Sequence, residues 1–259
     1  MISSYSSVGE GTDVVIFLHG VGSGKEGWKA QIATVNDAGW RFIAVDAPGF
    51  GETPLPSAPG FGPHVDRLLE LVNTIDAQRV VLCGHSLGGM TAQEFYAAFP
   101  ERVAGLVLSA TSPAFGKPDG DFQKEFLRQR FEPFDKSMSM AEFAEQFAVK
   151  LLGPAPDENA LDEIIEVMST VSVDAYRMAM NTIVSFDQRE NLPNIKVPTL
   201  LIAGETDTNA PARMMARMAE HIPDAKYVEL PETGHMGPIE NSSAFNRHLS
   251  NFLKGFAST

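Results

Sequence analysis

The sequence lacks the features of disulfide bonds and of membrane spans. It has a single cysteine, Cys83, among 259 residues. One cysteine excludes an internal disulfide and any metal site built from several cysteines, and it fits a reducing compartment. No run approaches the roughly 18 to 20 apolar residues of a membrane span, and residues 1–13 have neither the basic start nor the apolar core of a secretory signal. We therefore expect a soluble, cytoplasmic protein with no membrane partner.

Basic side chains are also scarce. The chain has 33 acidic and 20 basic side chains, which gives a formal charge of −13. A field of that sign repels nucleic acid and anionic membrane surfaces, so we expect no nucleic-acid partner. A small anionic substrate stays open, because one arginine can reverse the potential inside a pocket.

Short apolar runs rich in β-branched residues recur along the chain. They are continuous rather than alternating, which is typical of parallel strands covered on both faces. Amphipathic stretches with helical spacing separate several of them, at 64–75, 89–99 and 212–222. This alternation predicts an α/β fold with a mostly parallel central sheet and flanking helices. The predicted strands are 14–18, 41–46, 80–84, 105–110, 199–204 and 226–230.

The alternation is interrupted in the middle of the chain. Between residues 113 and 190 successive stretches have helical spacing, and no run has the character of a strand. We therefore expect a core domain formed by residues 1–112 and 191–259, and a helical cap, or lid, formed by 113–190. Methionines in this segment could line a ligand cavity or, as we favour, pack the cap against the core.

The sequence Gly84-His85-Ser86-Leu87-Gly88 follows one predicted strand and opens a predicted helix. A Gly-x-Ser-x-Gly pentapeptide in this context is a nucleophile elbow, in which a sharp turn exposes the serine and the small flanking residues avoid clashes. The alternative is that Ser86 only caps the helix that follows. Partners for a nucleophilic serine elsewhere in the chain decide between the two.

A histidine and an aspartate are placed as those partners. A serine hydroxyl needs a base to take its proton, and the base needs a carboxylate to hold its tautomer. His235 lies in a glycine-flanked loop after the last predicted strand, and Asp207 lies just beyond the end of the strand before it. Glu205 is a competing acid, and Asp207 alone could simply cap a helix. The order Ser86, Asp207, His235 is that of the triad in α/β hydrolases.

Residues 17–24, FLHGVGSG, form a glycine-rich loop after the first strong strand. The backbone N–H groups of Val21 and Leu87 are the expected donors to the oxyanion that forms when a serine attacks a carbonyl. A phosphate-binding loop is the alternative, but the spacing Gly-x-x-x-x-Gly-Lys-Ser/Thr is missing. No spacing of His, Asp, Glu or Cys predicts a metal site. We therefore expect neither a metal nor another cofactor.

Five segments together resemble the α/β-hydrolase superfamily: FLHGVGSG, VDAPGFGET, GHSLGGMTAQEFYAAFPERVAGLVLSAT, KVPTLLIAGETDTNAP and ETGHMGPIENS. They span essentially the whole core and leave only the cap unmatched. The resemblance implies a parallel-dominated sheet with a helical lid, with Ser86 as nucleophile, His235 as base and Asp207 as acid. It implies the oxyanion donors named above, and it makes His19 a residue that shapes the loop.

Within that superfamily, the segment GHSLGGMTAQEFYAAFPERV and the short chain look most like 3-oxoadipate enol-lactonases. This resemblance implies hydrolysis of a small ester or lactone through an acyl-enzyme. The same segments are similar to those of small carboxylesterases, of meta-cleavage-product C–C hydrolases and of cofactor-free haloperoxidases that act as perhydrolases. A noncatalytic binding protein on the same fold is the remaining alternative.

An enol-lactone of a keto acid carries a free carboxylate, which is costly to bury under a cap without a cation. Arg177, between Tyr176 and Met178 in the least charged cap helix, is the arginine we prefer for this contact. Trp28 and Met236 are the other expected substrate contacts. The expected partner is a small-molecule ester or lactone, and we expect a monomer or homodimer. The alternatives are Arg189 and the two arginines of FLRQRF, Arg128 and Arg130, although a solvated helix face better describes that stretch.

Overall fold

A computed structural model describes residues 5–116 and 120–258. One sheet forms its centre, with strands β1 (Tyr5–Val8), β2 (Asp13–Leu18), β3 (Arg41–Val45), β4 (Arg79–His85), β5 (Gly105–Ser109), β6 (Thr199–Gly204) and β7 (Ala225–Leu230). Their spatial order is β1, β3, β2, β4, β5, β6, β7. β1 is antiparallel to β3, whereas every other neighbouring pair is parallel.

Helices cover both faces of the sheet. In residues 5–116 and 120–258, three α-helices precede β5, four lie between β5 and β6, and three follow β6. Within the described residues the α-helices are α1 (Ile32–Asp37), α2 (Gly62–Thr74), α3 (Leu87–Ala98), α4 (Asp121–Asp135), α5 (Met140–Phe147), α6 (Ala160–Ser169), α7 (Val173–Ile183), α8 (Ala212–Glu220), α9 (Gly237–Glu240) and α10 (Ser242–Lys254).

Two apolar layers hold the sheet between its helices. Successive residues of a strand point to opposite faces. In β2, Val14, Ile16 and Leu18 pack with α2, α3 and α8, while Val15 and Phe17 pack with α1 and α10. Every residue of β5 and β6 is buried, which explains why these strands are continuous apolar runs in the sequence. The carboxyl ends of the parallel strands share one edge of the sheet, where α/β folds place their ligands.

The stretch between β5 and β6 contains α4 to α7 and, in its described residues, no strand beyond one isolated bridge. An apolar cluster joins these helices to Leu87 and Met90 of α3. They therefore pack over the start of α3, above the carboxyl edge of the sheet. We propose that 113–190 is the cap of this fold and that the rest of the chain is the core domain.

The α/β fold with a mostly parallel sheet is confirmed, and each predicted strand lies within one residue of its observed bounds. The sequence prediction did not include β1, α1, α9, α10 or a 3-10 helix at Lys25–Gln31. β1 is a polar and largely exposed edge strand, YSSV, so no apolar run reveals it. Within the described residues, no helix combines the length and the apolar character that crossing a membrane requires.

Candidate active site

Ser86 occupies the turn between β4 and α3. Its backbone has φ 52° and ψ −116°, and a positive φ is strained for a residue with a side chain. Two hydrogen bonds hold the turn: the Ser86 N–H donates to the Ser109 carbonyl oxygen at 2.9 Å, and the Thr111 hydroxyl donates to the Ser86 carbonyl oxygen at 2.8 Å. The turn presents the Ser86 side chain to a cavity between the core and the proposed cap.

Gly84 and Gly88 make this turn sterically feasible. A Cβ atom on Gly84 would overlap the Gly88 carbonyl group, and one on Gly88 would overlap the Leu18 carbonyl group at the end of β2. The backbones of β4, α3 and β2 therefore approach more closely than any larger residue allows. This close approach explains the glycines on both sides of Ser86.

His235 and Asp207 lie on neighbouring loops, after β7 and β6. The Nδ1 atom of His235 is 2.8 Å from Oδ2 of Asp207. The other carboxylate oxygen, Oδ1, accepts the backbone N–H groups of Asn209 at 2.7 Å and of Ala210 at 3.0 Å. A carboxylate held in this way favours the tautomer with a proton on Nδ1 and leaves Nε2 available to accept a proton.

The ionisation of Asp207 follows from its surroundings. Its side chain is fully shielded from solvent. Burial is the largest influence and raises the pKa of Asp207, but the charge and hydrogen bond of His235, together with the two backbone N–H groups, outweigh it. The resulting pKa lies below the usual value of an aspartate, so Asp207 is ionised at neutral pH and can stabilise a protonated histidine.

Ser86 and His235 line the same cavity. Among the described residues no hydrogen bond within 3.5 Å joins the Ser86 hydroxyl to the His235 ring; such bonds are often long before substrate binds. Glu205, the competing acid, is exposed and accepts the backbone N–H of Glu232 at 2.8 Å. The structure therefore pairs the histidine with Asp207, and the catalytic roles of the three residues stay predictions.

The backbone N–H groups of Val21 and Leu87 stay the predicted donors to an oxyanion. Val21 lines the cavity, and Leu87 is the first residue of α3, where a helix N–H has no intrahelical partner. Neither N–H donates a hydrogen bond to any described residue. His19 holds the preceding loop, since its Nδ1 donates to the Gly20 carbonyl oxygen at 2.8 Å and its Nε2 accepts the Ala47 N–H at 2.9 Å.

The cavity has a volume of about 100 Å³ and opens to solvent. Its wall is mostly apolar, and Arg130 is the one arginine or lysine among the described residues that line it. Met168 and Met180 line this cavity and also belong to the apolar cluster that packs the proposed cap against α3, so both interpretations of the methionines hold for them. The apolar lining residues include Met90, Phe115, Phe126, Phe147, Leu151, Met168, Met180 and Ile183.

Three residues expected to contact substrate lie elsewhere. Arg177 is on the outer side of α7, where its guanidinium is 2.5 Å from the Asp135 carboxylate. Trp28 is buried in the apolar layer beneath α1 and α10, and Met236 is buried in a small cluster with Leu151. None of the three lines the cavity. The structure contradicts these expectations, because an acidic neighbour holds the arginine outside and core packing buries the two apolar side chains.

Two polar side chains that sequence reasoning missed support the histidine loop. His85 Nε2 donates to the His235 carbonyl oxygen at 2.8 Å, and burial, with a smaller effect of the His235 charge, lowers the pKa of His85 to about 3, so His85 is neutral. Glu240 accepts the N–H groups of Met236 at 2.7 Å and of Gly153 at 2.6 Å. The sequence offered one signal for Glu240: it is a charged residue within the glycine- and proline-containing loop ETGHMGPIENS.

Glu240 ties the proposed cap to the histidine loop. Its side chain is buried, and the backbone N–H of His235 donates to the Leu151 carbonyl oxygen at 2.6 Å, next to the Glu240 contact with Gly153. Burial raises the pKa of Glu240, although the N–H groups that it accepts act in the opposite direction. The carboxylate thus satisfies buried backbone donors from two separate segments.

Replacing Glu240 by alanine is expected to lower the free energy of unfolding by about 2–4 kcal/mol, because each buried N–H that loses its acceptor costs about 1–3 kcal/mol. Urea unfolding followed by tryptophan fluorescence measures the change. The matched control is Glu220→Ala, at an exposed position at the end of α8, where a change within about 0.5 kcal/mol is expected. Equal losses in the two variants would contradict a bridging role for Glu240.

Alternative chemistries have little support from the side chains. No group of three or more His, Cys, Asp or Glu residues is arranged to hold a metal ion in the part of the chain that the structure describes. Cys83 is buried in β4, and burial raises the pKa of its thiol well above the usual value. A nucleophilic cysteine needs a lowered pKa and some exposure, so Ser86 is the better candidate nucleophile.

Comparison with known proteins places these features in a family. A family model described as the alpha/beta hydrolase fold matches residues 13–242. A pimeloyl-(acyl-carrier protein) methyl ester esterase from Pectobacterium atrosepticum is 27% identical and covers 96% of this chain and 98% of its own. A 2-hydroxy-6-oxononadienedioate/2-hydroxy-6-oxononatrienedioate hydrolase from Pseudomonas sp. is 26% identical, with coverages of 96% and 90%. The crystal structure of the enol-lactonase from Burkholderia xenovorans LB400 aligns with a TM-score of 0.83 at 25% identity, covering 96% of this chain and 95% of that one.

The family match extends from β2 to the start of α10 and includes all the segments on which the sequence resemblance depends. That resemblance is therefore confirmed. The matched proteins are an esterase, a hydrolase and a lactonase, so their shared chemistry is hydrolysis. The chain belongs to the α/β-hydrolase superfamily and is a hydrolytic enzyme.

Proposed function

We propose that this hydrolase cleaves a small ester or lactone through an acyl-enzyme on Ser86. The observation that carries the proposal is the cavity shared by Ser86 and a His235 ring whose Nδ1 is bonded to the ionised Asp207. A serine on a strained turn, a histidine in a fixed tautomer and a buried carboxylate are the parts that nucleophilic acyl transfer requires. The enol-lactonase and the methyl ester esterase among the similar proteins support this substrate class.

In the first half-reaction, the Ser86 oxygen attacks the substrate carbonyl carbon while His235 Nε2 takes the hydroxyl proton. The carbonyl oxygen becomes an oxyanion that accepts hydrogen bonds from the N–H groups of Val21 and Leu87, each typically worth about 3 kcal/mol. His235 then passes its proton to the alcohol oxygen as the carbon–oxygen bond breaks. Asp207 stays ionised throughout and stabilises the positively charged ring.

In the second half-reaction, a water molecule replaces the alcohol. His235 takes a proton from this water, the water oxygen attacks the acyl carbon, and the proton returns to the Ser86 oxygen as the acid leaves. From a lactone, the alcohol remains part of the same molecule, so the product is a single hydroxy acid. From an enol-lactone, the released enol tautomerises to a ketone.

The acyl-enzyme can be tested with methanol as a competing nucleophile. Two esters with the same acyl part and different alcohols pass through the same acyl-enzyme, so water and methanol should divide it in the same ratio. We expect equal ratios of acid to methyl ester from p-nitrophenyl butyrate and phenyl butyrate. Ratios that differ with the leaving group would indicate direct attack by water and would contradict the proposal.

Carbon–carbon bond hydrolysis is a second candidate, favoured by one observation: the Pseudomonas relative is named a hydrolase of a 2-hydroxy-6-oxo dienedioate. The same side chains would then act at a keto group rather than at an ester. A panel of p-nitrophenyl esters, small lactones, an enol-lactone and a meta-cleavage product separates the two. A kcat/KM at least tenfold higher for the meta-cleavage product would favour this second candidate.

Hydrogen peroxide added to the ester assays tests perhydrolysis, in which peroxide replaces water at the same acyl-enzyme.

A further inference from the structure

Among the described residues, Arg130 on α4 is the one positively charged side chain on the cap side of the active-site cavity. The same side chain borders an outer groove that Gln146 and Lys150 also line. The guanidinium therefore lies at the wall between the cavity and solvent. Ser86 and His235 belong to the core, so the reacting groups and the cation come from opposite layers of the fold.

Aromatic stacking holds the Arg130 guanidinium in place. Its central carbon lies 4.4 Å from the ring centroid of Phe147 and 5.2 Å from that of Phe126, and both rings line the cavity. One N–H group is 3.4 Å from the side-chain oxygen of Asn209, a neutral and long contact. A planar guanidinium fixed in this way is oriented before any ligand arrives.

Arg130 differs from the other arginines of the proposed cap in its partners. Each of the others has a carboxylate within 3.3 Å: Arg128 has Glu125 and Glu132, Arg177 has Asp135, and Arg189 has Asp187. No acidic side chain lies within 4 Å of Arg130 among the described residues. In a chain with 33 acidic residues, a cavity-lining arginine without a carboxylate has its charge available to an anion.

A tyrosine hydroxyl that makes no hydrogen bond within 3.5 Å to the described residues lines the same cavity. It belongs to Tyr176 on α7, which is 1% exposed. Burial, only partly offset by the charge and side chain of Arg130, raises the pKa of Tyr176 to about 12. The hydroxyl is therefore protonated at neutral pH and can donate. The Arg130 side chain is close enough to act on the phenol oxygen as a hydrogen-bond donor, which leaves the phenol's own proton to donate. A buried phenol normally uses this proton, so it is available to a polar group in the ligand.

We propose that Arg130 and Tyr176 form a carboxylate subsite, so that the substrate is an ester or lactone whose acyl part carries a second, free carboxylate. The inference rests on the proposed function, because the acyl part is the portion that stays bound to Ser86 in both half-reactions. A carboxylate buried beneath the cap needs a cation and further donors. A guanidinium can offer two parallel N–H groups to one carboxylate, and the phenol supplies a third donor.

The test compares two substrates that differ in one group, the monomethyl ester of adipic acid and the same ester with its carboxylate replaced by a primary amide. Hydrogen bonds to charged groups contribute about 1.5–3 kcal/mol, which corresponds to roughly a 10- to 100-fold effect. We expect Arg130→Gln to lower kcat/KM for the half-ester by that factor and to change kcat/KM for the amide by less than about threefold. Tyr176→Phe should have a smaller loss, about three- to tenfold, again selective for the carboxylate.

Arg128→Gln is the matched control, since Arg128 lies two residues away on α4, is exposed and pairs with Glu125. It should leave the ratio of the two kcat/KM values unchanged. Arg130→Lys keeps the charge but loses the planar fork, so its ratio of the two kcat/KM values should lie between those of the wild type and Arg130→Gln. This variant replaces Arg130→Gln in the test if Arg130→Gln fails to fold. Half-esters from succinic to pimelic acid cover the length of the acyl chain.

Two different failures are distinguishable. If the wild type prefers no half-ester over its amide at any chain length, or if Arg130→Gln lowers both rates equally, the subsite is overturned while the acyl-enzyme proposal stands. If Ser86→Ala hydrolyses both substrates as fast as the wild type, the proposed function itself fails. A selective loss with Arg130→Gln, together with full loss in Ser86→Ala, supports both.

Discussion

Replacing Ser86 by alanine is expected to lower kcat by about four to six orders of magnitude. The alanine removes the oxygen that forms the acyl bond, and His235 and Asp207 cannot substitute for it because the three groups act as a unit. The remaining rate should reflect the contribution of the oxyanion donors and of substrate binding to catalysis. Initial rates with p-nitrophenyl butyrate at high enzyme concentration measure this effect.

The loss must occur in a folded protein. Ser86 has a strained backbone, and a strained active-site position often costs stability, so the thermal midpoint of Ser86→Ala should equal or slightly exceed that of the wild type. Ser185→Ala is a suitable control, because this exposed hydroxyl donates to the Thr182 carbonyl oxygen and faces no part of the cavity. A kcat for Ser86→Ala within tenfold of the wild type would end the serine-hydrolase account.

Replacing Asp207 by asparagine is expected to lower kcat by about three to four orders of magnitude. Asparagine keeps the oxygen that accepts the N–H groups of Asn209 and Ala210, so the loop should keep its shape. The other carboxylate oxygen, Oδ2, is replaced by an amide nitrogen, which cannot accept the Nδ1 proton of His235. The amide therefore favours the histidine tautomer with its proton on Nε2. The histidine would then have no free Nε2 to take the serine proton. Stopped-flow or initial-rate assays, with urea unfolding as the stability check, measure both effects.

Glu205→Gln is the internal control for Asp207→Asn. Glu205 is exposed, and a glutamine oxygen can still accept the backbone N–H of Glu232, so kcat should change by less than about threefold. If Glu205→Gln were the more damaging substitution, the acid assigned to the triad would be wrong. Comparable, mild effects of both substitutions would mean that His235 needs no carboxylate.

The core could be predicted because single local causes dominate there. A parallel strand covered on both faces must be apolar throughout, and that requirement located the six parallel strands within one residue. The turn at Ser86 needs glycine at the two positions where backbones nearly touch, so the pentapeptide between a predicted strand and a predicted helix indicated it. His235 and Asp207 follow strands that end at the same edge of the sheet, which brings them together whatever the cap does.

The cap side of the cavity could not be predicted, because it depends on how helices dock. Adjacent residues of a helix point in directions about 100° apart, so Tyr176 lines the cavity while Arg177 faces Asp135 outside. In α4, Arg128 and Arg130 are two residues apart and face different surroundings. The sequence FLRQRF gives no reason to distinguish Arg128 from Arg130. Only the packing of α4 against its neighbours determines which of the two lines the cavity.

Trp28 and Met236 show a related limit. Both are close in sequence to predicted site residues, yet burial of a large apolar side chain is favourable wherever the core has room for it. Trp28 packs against Phe17, with ring centroids 4.8 Å apart, and Met236 joins a cluster beneath the histidine loop. Proximity to a motif therefore does not place an apolar side chain in the site.

The central claim, a serine activated by His235 and Asp207, is tested most directly by labelling with a fluorophosphonate. This reagent reacts covalently with an activated serine and scarcely with an ordinary hydroxyl. Peptide mass spectrometry of the treated enzyme should show one adduct, on Ser86, that accumulates in proportion to the loss of esterase activity and forms far more slowly in Asp207→Asn. An enzyme that keeps full activity with Ser86 unmodified, or an adduct on another residue that accounts for the inactivation, would contradict the account.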